Sequence, residues 1–509
     1  MLPLILSLVV LGNSVHAVEH IPSSHIGALP LPTGVSHYRI LGELVHNHAK
    51  DHPENQYYMF ASKVQLAAAK VEWLEQPNVN HCAYCDLTRQ DIFDATTEFW
   101  KSMNLFALVD LTYDACVSFF DEEWVEETKE IKFDLFILDN YSWCSTPLIN
   151  MFRIKKFLYY HPLAIYYPDS LDLLGMESNP NLYPQALSSF QPGMTFLERL
   201  MNHGFYLYLK FSHALLRYKR DGINETYGIP PMGPLEENRG MHLVFSGYPI
   251  EWSRPLAPNV IMAGPPPQKA PADISDPELL KWLEGYDTVV YYSTGTVFIP
   301  AEDQIEIVKK VFARLEKKDI GVLWNFTGEL SGLSSNVKVM KWVPQIDLLH
   351  NPKVKLFFSH GGLNSLYETI RAHVPMLATP YFFDHPHYAA AIEREQIGKQ
   401  IKTSEWDVDF FEEQIMELLT NDIYIEKIAM VDSIIQSLYN SVETFKYWVD
   451  FTLKYETSSL WVDHHQDMYL FQRWGLDVYL SVIFVLYAMF YWAKSAKNKL
   501  CSQKLKKEQ

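Results

Sequence analysis

Hydrophobic and polar positions alternate in blocks along the second half of the chain, from Asp287 onward. Short apolar runs, typical of strands buried on both faces, are separated by longer stretches with helical spacing. One stretch, 301–317, places apolar side chains every three or four residues, as an amphipathic helix does. The predicted strands are Thr288–Tyr292, Ile320–Trp324, Val337–Trp342, Lys355–Ser359 and Met376–Thr379. Strands that alternate with helices predict a parallel sheet with right-handed crossovers.

The first half of the chain shows the same alternation more weakly. Its predicted strands are Ile26–Leu31, Tyr57–Ala61 and Asp134–Leu138, and the stretch 160–220 is aromatic and helical. A proline-rich run, 257–267, predicts a linker between an N-terminal domain, 18–256, and a C-terminal domain, 268–460. Two doubly wound α/β domains would face each other across a cleft, and ligands of such sheets lie beyond the carboxyl ends of the strands.

Both ends of the chain predict membrane targeting. Residues 1–17 form a short apolar core followed by small residues, which predicts a signal peptide cut after Ala17, with a buried strand as the alternative. Residues 476–493 are apolar and aromatic and are about the minimum length for a transmembrane helix. Six lysines follow in the tail 494–509, so the positive-inside rule places the tail in the cytosol and the body in the lumen. Lys506 and Lys507 resemble a dilysine signal for return to the endoplasmic reticulum, with a basic membrane flank as the alternative.

Composition narrows the class of protein. A chain of 509 residues suits two large domains, and 48% hydrophobic with 20% charged residues is typical of a globular protein. The net charge of −18 argues against nucleic acid as a partner, because that needs a basic face. The sequence leaves the possibility of a homo-oligomer open.

Cysteines and sequons suggest modifications of a lumenal protein. Cys82 and Cys85 have the spacing of half a zinc site, but no second C-x-x-C exists, so a lumenal disulfide and buried thiols stay open instead. The sequence has N-x-[ST] sequons at Asn140, Asn224 and Asn325. Asn224 lies in a polar stretch and is predicted to be the best glycosylation acceptor.

The most informative stretch runs from Trp342 to His385. A predicted strand ends at His360, two glycines follow, and a helical pattern begins. Glycines at a strand-to-helix turn let the backbone approach a ligand, and the new helix offers free N–H groups to phosphate. Trp342 provides a flat face for a base, and Glu368 lies one turn beyond Asn364 on the same helix. This is the layout of a nucleotide-sugar site.

The stretch resembles the signature of UDP-glycosyltransferases, most closely that of animal UDP-glucuronosyltransferases. It matches W-[IV]-P-Q-x-D-L-L and H-G-G-x-N-x-x-Y-E, and then departs from the final Asp-Gln pair, where this chain has Asp384 and His385. The resemblance implies a GT-B fold of two Rossmann-like domains. The N-terminal half would bind the acceptor and the C-terminal half the UDP-sugar.

The resemblance also assigns the contacts of the UDP-sugar. Trp342 would stack on uracil, Gln345 would bond its edge, and Glu368 would take the ribose hydroxyls. The diphosphate would meet the segment from His360 to Ser365, and the sugar would meet Asp384. The full predicted set is Ser293, Gly295, Thr296, Trp342, Gln345, His360, Gly362, Asn364, Ser365, Glu368, Asp384, His385 and Arg254, the last with a plain surface arginine as the alternative.

Two further family patterns imply the catalytic residues. G-x-S-H matches the residues that end at His37, and F-D-x-x-x-x-D matches those that end at Asp139. His37 would be the general base for the acceptor hydroxyl, because a histidine titrates near neutral pH, and Asp139 would orient it. A surface histidine in a histidine-rich region and a helix N-cap aspartate are the respective alternatives. A single displacement at the anomeric carbon predicts inversion.

No metal or other cofactor is expected for the transfer. Asp407 and Asp409 form a D-x-D sequence, but an N-cap with an acidic first turn explains them. The predicted function is that of a membrane-anchored UDP-glycosyltransferase acting on small lipophilic acceptors. The alternative is a catalytically idle UDP-sugar-binding member or a subunit of another transferase, since the usual G-H turn of the family is replaced by 50–55.

Overall fold

Two parallel β-sheets, each covered by helices, form the body of the protein. The computed structural model describes residues 23–84, 91, 94, 105–122, 125, 128–142, 144–164, 168–174, 176, 178–185, 187–231, 240–295, 300–381, 384–455, 469–473 and 475–505. The strands of the first sheet are β1 His25–Leu29, β2 Gln56–Ser62, β3 Val79–Tyr84, β4 Leu135–Asp139, β5 Phe157–His161, β6 Met241–Val244 and β7 Val260–Met262. The strands of the second sheet are β8 Thr288–Ser293, β9 Ile320–Asn325, β10 Val337–Met340, β11 Val354–Ser359, β12 Met376–Ala378 and β13 Gly398–Gln400.

Helices fill the connections between strands. Those before β8 are α1 Val35–Asp51, α2 Lys63–Leu66, α3 Val71–Leu74, α4 Leu105–Asp121, α5 Ser145–Met151, α6 Pro168–Leu173, α7 Phe196–Tyr227 and α8 Pro277–Glu284. Those after β8 are α9 Glu302–Glu316, α10 Gln345–Leu349, α11 Leu363–Ala372, α12 His385–Arg394, α13 Val408–Thr420, α14 Ile423–Leu438, α15 Ser441–Lys454, α16 Leu470–Arg473 and α17 Leu476–Leu505, with a 3₁₀ turn at Thr403–Glu405.

In each sheet the first strand in the chain lies in an interior position, and the strands that follow are added first on one side of it and then on the other. The strand orders are β3-β2-β1-β4-β5-β6-β7 and β10-β9-β8-β11-β12-β13. Neighbouring strands are parallel throughout both sheets. The two doubly wound domains predicted from the sequence are therefore confirmed. Such sheets bind ligands where the strand order reverses, which here is between β1 and β4 and between β8 and β11.

The sequence of β4 shows why the sheet is buried on both faces. All five of its residues are buried. Leu135 and Ile137 pack in one hydrophobic cluster with Leu41 of α1, whereas Phe136 and Leu138 pack in a second cluster on the other face. Successive strand side chains point to opposite faces, so an unbroken apolar run is what a central parallel strand requires.

The domain boundaries differ from the sequence prediction at two places. The first part of the predicted linker 257–267 belongs to the N-terminal domain. It contains β7, which is the edge strand of the first sheet, with Val260 in register with His242. The last part of the predicted C-terminal domain returns to the first domain. Phe445, Val449 and Leu453 of α15 are buried in the same cluster as the core of the first sheet. The apolar face of α15 is therefore completed by the N-terminal domain.

One helix of the described chain is long and apolar enough to cross a membrane. This candidate span runs from Leu476 to Asn498, 23 residues, and is not buried against the rest of the protein. It includes the predicted segment 476–493. The predicted signal peptide, 1–17, and the lysine pair near the C-terminus lie outside the described residues.

A disulfide joins cysteines other than the pair with zinc-like spacing. Cys116 of α4 and Cys144, just before α5, are bonded with their Cα atoms 5.4 Å apart, and both are buried. Cys82 is a free thiol, and burial raises its pKa to about 11, which keeps it protonated and unreactive. Cys85 lies outside the described residues.

Two local predictions have clear outcomes in the fold. Asp407 accepts from Asp409 N at 2.9 Å and from Phe410 N at 3.1 Å, so the N-cap interpretation is confirmed. Asn224 lies in α7 and is only 5% exposed. The prediction that it is the best glycosylation acceptor is wrong, because a glycan needs a surface site. The polar residues next to Asn224 in the sequence do not reveal that its side chain is on the buried face of the helix.

Candidate active site

His37 and Asp139 meet where the strand order of the first sheet reverses. His37 lies in the first turn of α1, directly after β1, and Asp139 is the last residue of β4. The distance from His37 Nδ1 to Asp139 Oδ2 is 2.7 Å. The Asp139 side chain is fully buried, whereas that of His37 keeps 12% of its surface exposed. A histidine whose Nδ1–H donates to a carboxylate presents the lone pair of Nε2, which is the form that a general base needs.

Backbone donors hold the carboxylate of Asp139 in place. Leu31 N donates to Oδ2 at 3.1 Å, and Tyr141 N donates to Oδ1 at 2.9 Å. These charge-assisted bonds offset the cost of burying an anion. Asp139 is not the N-cap of the next helix, because α5 begins at Ser145 and Cys144 holds the N-cap position. The aspartate is therefore a fixed acceptor that faces His37.

Side chains from β2 and α2 fix the loop between β1 and α1. Gln65 Nε2 donates to the carbonyl of Gly34 at 3.1 Å, and Ser62 Oγ donates to that of Pro32 at 2.9 Å. Gly34 also leaves room for the imidazole of His37, because a Cβ there would lie 2.9 Å from His37 Cγ. Sequence reasoning missed Gln65 and Ser62, since nothing local marks residues that reach back to an earlier loop.

The loops after β8 and β11 meet where the second sheet reverses. Ser293 and Ser359, the last residues of these strands, are in register. The imidazole of His360 lies between two glycines, and a Cβ would approach it to 2.9 Å from Gly295 and to 2.4 Å from Gly362. Gly295 also has φ +82°, a left-handed conformation that favours glycine. The glycines thus let the backbone close around His360 beside the N-terminus of α11, where an anion is favoured.

Asp384 lies close enough to His37 of the first domain for their charges to interact. Burial raises the pKa of Asp384 to about 6, while the nearby charge of His37 and the backbone N–H of Leu363 act in the opposite direction. Asn364 and Ser365 are half-buried in the first turn of α11, which carries no acidic residue. Asp384 therefore lies beside the N-terminus of α11, on the side of the second domain that is near His37.

Burial keeps the two donor-side imidazoles uncharged near pH 7. It lowers the pKa of His360 to about 4 and the pKa of His385 well below its usual value. The two rings are in edge contact, with centroids 4.6 Å apart. A neutral imidazole can donate one hydrogen bond to a phosphate or sugar oxygen. The positive field at this place then comes from the dipole of α11 rather than from histidine.

Gln345, Ser365 and Glu368 form one hydrogen-bonded group across α10 and α11. Gln345 Nε2 donates to Ser365 Oγ at 3.1 Å and to Glu368 Oε2 at 2.6 Å. Tyr291 donates its hydroxyl to Gln345 Oε1 at 3.0 Å, a contact that the sequence did not indicate. Burial raises the pKa of Glu368 to about 7, against the lowering effects of Gln345 and of the charge of Arg39. The group offers amide and carboxylate atoms suited to a base edge and to ribose hydroxyls.

Trp342 has an exposed ring and lies three residues before Gln345 in the chain. The residue is 60% exposed, so one face is open to a planar ligand. The guanidinium of Arg39 lies 5.8 Å from the ring centroid. Arg39 comes from α1, two residues after His37. The contact therefore brings α1 of the first domain to the hydrogen-bonded group around Gln345 in the second.

Two other predicted contacts of the UDP-sugar are Arg254 and Thr296. The guanidinium of Arg254 lies 4.7 Å from the ring centroid of Tyr183, a cation–π contact within the N-terminal domain. Its contact with the UDP-sugar stays a prediction. Thr296 lies outside the described residues. Asn325, considered before only as a sequon, accepts from Ser293 Oγ at 3.2 Å and so supports the donor loop.

A buried polar group joins the two domains beside the cleft. His387 Nε2 lies 3.1 Å from Glu251 Oε2, and their side chains are 3% and 9% exposed. Ser246 Oγ donates to Glu251 and lies 3.1 Å from the hydroxyl of Tyr367 on α11. Because each partner is buried, leaving one unpaired would be costly, so this group holds α11 and α12 against the first domain.

The family model described as UDP-glucoronosyl and UDP-glucosyl transferase matches residues 48–509 of this chain. The chain belongs to this family. UDP-glucuronosyltransferase 1A7 of Mus musculus is 27% identical over 393 residues, which cover 74% of this chain and 73% of that protein. The 2-hydroxyacylsphingosine 1-beta-galactosyltransferase of Homo sapiens is 25% identical over 436 residues, covering 82% and 75%. The family match begins after His37, so it does not cover this residue. The support for His37 in the structure is its contact with Asp139.

Solved structures confirm the GT-B fold. The glycotransferase of kitacinnamycin aligns with a TM-score of 0.60 and 16% identity over 84% of this chain and 99% of its own. A UDP-glucose: anthocyanidin 3-O-glucosyltransferase in complex with UDP aligns with a TM-score of 0.55 and 16% identity over 86% and 100%. With the family membership, this makes the chain a glycosyltransferase.

Proposed function

We propose that this UDP-glycosyltransferase family member transfers a hexose from a UDP-sugar to a hydroxyl group of a small lipophilic acceptor, with inversion at the anomeric carbon. The observation that carries the proposal is the His37–Asp139 pair, 2.7 Å apart and close to Asp384 of the opposite domain. A base paired with a buried carboxylate is thereby set beside a glycine-rich loop with the features of a nucleotide-sugar site.

In the proposed reaction, the acceptor oxygen attacks the anomeric carbon while the bond from that carbon to UDP breaks. His37 Nε2 takes the hydroxyl proton, and Asp139 stabilises the imidazolium that forms. UDP leaves with the bonding electron pair, and the N-terminus of α11 with the neutral imidazole of His360 hydrogen-bonds its diphosphate. Because the attack and the departure are on opposite faces, an α-linked donor gives a β-glycoside. No metal is assigned to this step.

The remaining donor contacts follow from the geometry of α10 and α11. Trp342 stacks on uracil, Gln345 bonds the base edge, and Glu368 accepts the ribose hydroxyls. Ligand hydroxyls then replace the internal bond between Gln345 and Glu368, whose carboxyl is half protonated near pH 7. Asp384 and His385 contact the sugar. The donor sugar itself is left to the assay, since the compared relatives bear the names of a glucuronosyltransferase and a galactosyltransferase.

A membrane location of the enzyme is part of the proposal. The candidate span Leu476–Asn498 would anchor the chain, with the body in the lumen of the endoplasmic reticulum. Helix α7 supports this, because it carries a set of apolar residues that are each more than half exposed. They are Phe196, Leu197, Leu200, Met201, Leu207, Phe211 and Tyr218. An apolar stripe on a 32-residue helix suits contact with lipid, from which lipophilic acceptors are drawn.

A catalytically idle UDP-sugar-binding member, or a subunit of another transferase, is the second candidate. It is favoured by the start of the family match at residue 48, which excludes His37. The two candidates share the donor site and differ in whether His37 acts as a base.

The test is UDP release from microsomes that carry the wild type, His37→Ala or the control His25→Ala. His25 lies at the opposite end of β1 and contacts the hydroxyl of Tyr58 instead. UDP-glucuronate, UDP-glucose and UDP-galactose are offered in turn with a pool of phenols and sterols. Acceptor-dependent release with one donor, lost only in His37→Ala, supports the transferase and names its sugar. Release with none, while UDP still quenches tryptophan fluorescence, favours the idle member.

A further inference from the structure

A second cluster of histidine and carboxylate side chains lies away from the cleft, where the C-terminal end of α1 meets α15. His48 Nε2 is 3.1 Å from Asp450 Oδ1, and His52 Nε2 is 3.5 Å from Asp450 Oδ2. One ligand atom from each of the three residues lies within 4.8 Å of the others. His48 and His52 are four residues apart, so both imidazoles lie on one face of the helix end, with ring centroids 4.5 Å apart.

These distances suit a small tetrahedral metal. With metal–nitrogen and metal–oxygen bonds of about 2.0–2.2 Å, tetrahedral angles separate neighbouring donor atoms by about 3.3–3.6 Å. The separation of 3.5 Å between Asp450 Oδ2 and His52 lies within this range, and that of 3.1 Å between Asp450 Oδ1 and His48 lies just below it. Two imidazoles and one carboxylate are the ligand set of zinc rather than of calcium or magnesium, which prefer oxygen ligands. Asp450 is 36% exposed, so water can take the fourth position.

The nitrogen of each ring that faces away from the cluster has its own partner. His48 Nδ1 hydrogen-bonds the hydroxyl of Tyr57, and His52 Nδ1 lies 3.2 Å from Glu54 Oε1. Metal-binding histidines are usually oriented in this way, with the second nitrogen bound to a carboxylate or another acceptor. Both rings are therefore set with Nε2 toward Asp450 before any ion arrives.

The charges around the cluster favour a cation. Asp51, Glu54 and Asp450 supply three carboxylates near Tyr57, and the ammonium of Lys446 is paired with Asp51 at 2.6 Å.

The cluster is remote from the transfer chemistry. His48 lies eleven residues after His37 on α1. At the helical rise of 1.5 Å per residue, this separates their Cα atoms by about 16 Å. The cluster also lies near the start of β2, at the amino-end edge of the sheet, whereas the cleft is at the carboxyl-end edge. A metal here has no contact with the reacting atoms.

We propose that His48, His52 and Asp450 bind a zinc-type divalent metal that fastens α15 to the N-terminal domain. Helix α15 comes after the C-terminal domain in the chain and packs on the first domain, so the metal ties this returning segment to α1. His52 and Glu54 lie in 50–55, the segment that replaces the usual family turn. The proposal is independent of the catalytic assignment, because metal binding can be measured without turnover.

The test uses the purified full-length chain in detergent, stripped with EDTA and then titrated with Zn²⁺ or Co²⁺. Metal content after gel filtration, the visible absorption of bound Co²⁺ and the midpoint of thermal unfolding are measured. The wild type is expected to bind one ion per chain and to unfold at a higher temperature with Zn²⁺. The variants His52→Ala and Asp450→Ala are expected to bind at least about tenfold more weakly.

The matched control is His373→Ala. His373 Nε2 lies 3.0 Å from Asp432 Oδ2, so this variant also loses a histidine–aspartate pair, with a histidine more exposed than His52. It should bind Zn²⁺ as the wild type does. Failure of the folded wild type to bind Zn²⁺ stoichiometrically, or equal binding by His52→Ala and Asp450→Ala, overturns the proposal and leaves the cluster as a hydrogen-bonded ion pair. Tryptophan fluorescence of the stripped proteins shows whether each variant is folded.

Discussion

Asp139→Asn is the sharpest test of the proposed catalytic pair, His37 and Asp139, because it keeps the shape of the side chain and replaces one carboxylate oxygen by an NH₂ group. If the amide oxygen keeps the bond from Tyr141 N, the amide NH₂ replaces Oδ2 and faces His37 Nδ1 and Leu31 N. His37 must then accept at Nδ1 and carry its proton on Nε2. In that tautomer Nε2 cannot take a proton from the acceptor hydroxyl.

The size of the effect follows from this reversal. A general base contributes about 10²- to 10⁴-fold, and a wrong tautomer removes that contribution. We therefore expect kcat to fall about 10²- to 10⁴-fold, which corresponds to about 2.7–5.4 kcal/mol of barrier. The amide also leaves Leu31 N facing a donor, at a stability cost of about 1–3 kcal/mol. Binding of the UDP-sugar should not change, because Asp139 belongs to the other domain.

The assay measures UDP release with the donor and acceptor that the wild type uses, together with UDP affinity from tryptophan quenching. The control is Asp134→Asn, which removes a carboxylate whose Oδ2 accepts from His25 N at 3.0 Å, at the other end of β4. Asp134 does not reach His37, so its variant should keep the wild-type kcat. An Asp139→Asn enzyme that is folded and binds UDP but turns over like the wild type would refute the reasoning.

Two further predictions concern the donor site and the returning helix. Glu368→Gln should weaken UDP-sugar binding about 10- to 150-fold at pH 8, since it removes a charged hydrogen-bond acceptor. The pKa of Glu368 is raised to about 7 and the carboxylate binds the hydroxyls, so wild-type affinity should fall as the pH drops below 7, and the variant should lose this dependence. The titrations use the UDP-sugar instead of UDP, so that protonation of the terminal phosphate of UDP does not affect the result. If the variant showed the same dependence of affinity on pH as the wild type, Glu368 would not be the titrating group. Phe445→Ala should destabilise the protein by about 3–5 kcal/mol, because this fully buried ring fills the core of the first domain. Thermal unfolding tests this against Tyr447→Ala, a 58% exposed site on the same helix, and equal midpoints would contradict the packing.

Much of the candidate donor site could be predicted from the sequence because its signals are local. The strand that ends at Ser359, the glycines after His360 and the helix that carries Glu368 are consecutive in the chain. A strand, a tight turn and a helix N-terminus leave little freedom in where their backbone N–H groups point. The family patterns also singled out His37 and Asp139, which the fold brings together, but not Gln65 and Ser62, which hold the loop before α1.

The remaining features depend on contacts between distant segments, which local patterns do not encode. Arg39 reaches Trp342 only because the domains face each other. Asn224 looks like a surface residue in a polar stretch, and only the packing of α7 buries it. The disulfide between Cys116 and Cys144 likewise depends on α4 lying against the start of α5.

By itself, the sequence determined the alternation of strands and helices, the doubly wound class of each domain and the donor loop, because hydrophobic period and glycine placement act over a few residues. Only the tertiary structure decided that α15 returns to the first domain and brings Asp450 to His48, 402 residues earlier in the chain. The physical reason is that an apolar helix face specifies that it must be buried, but not against which surface. The choice of surface is made by the fit of the whole core.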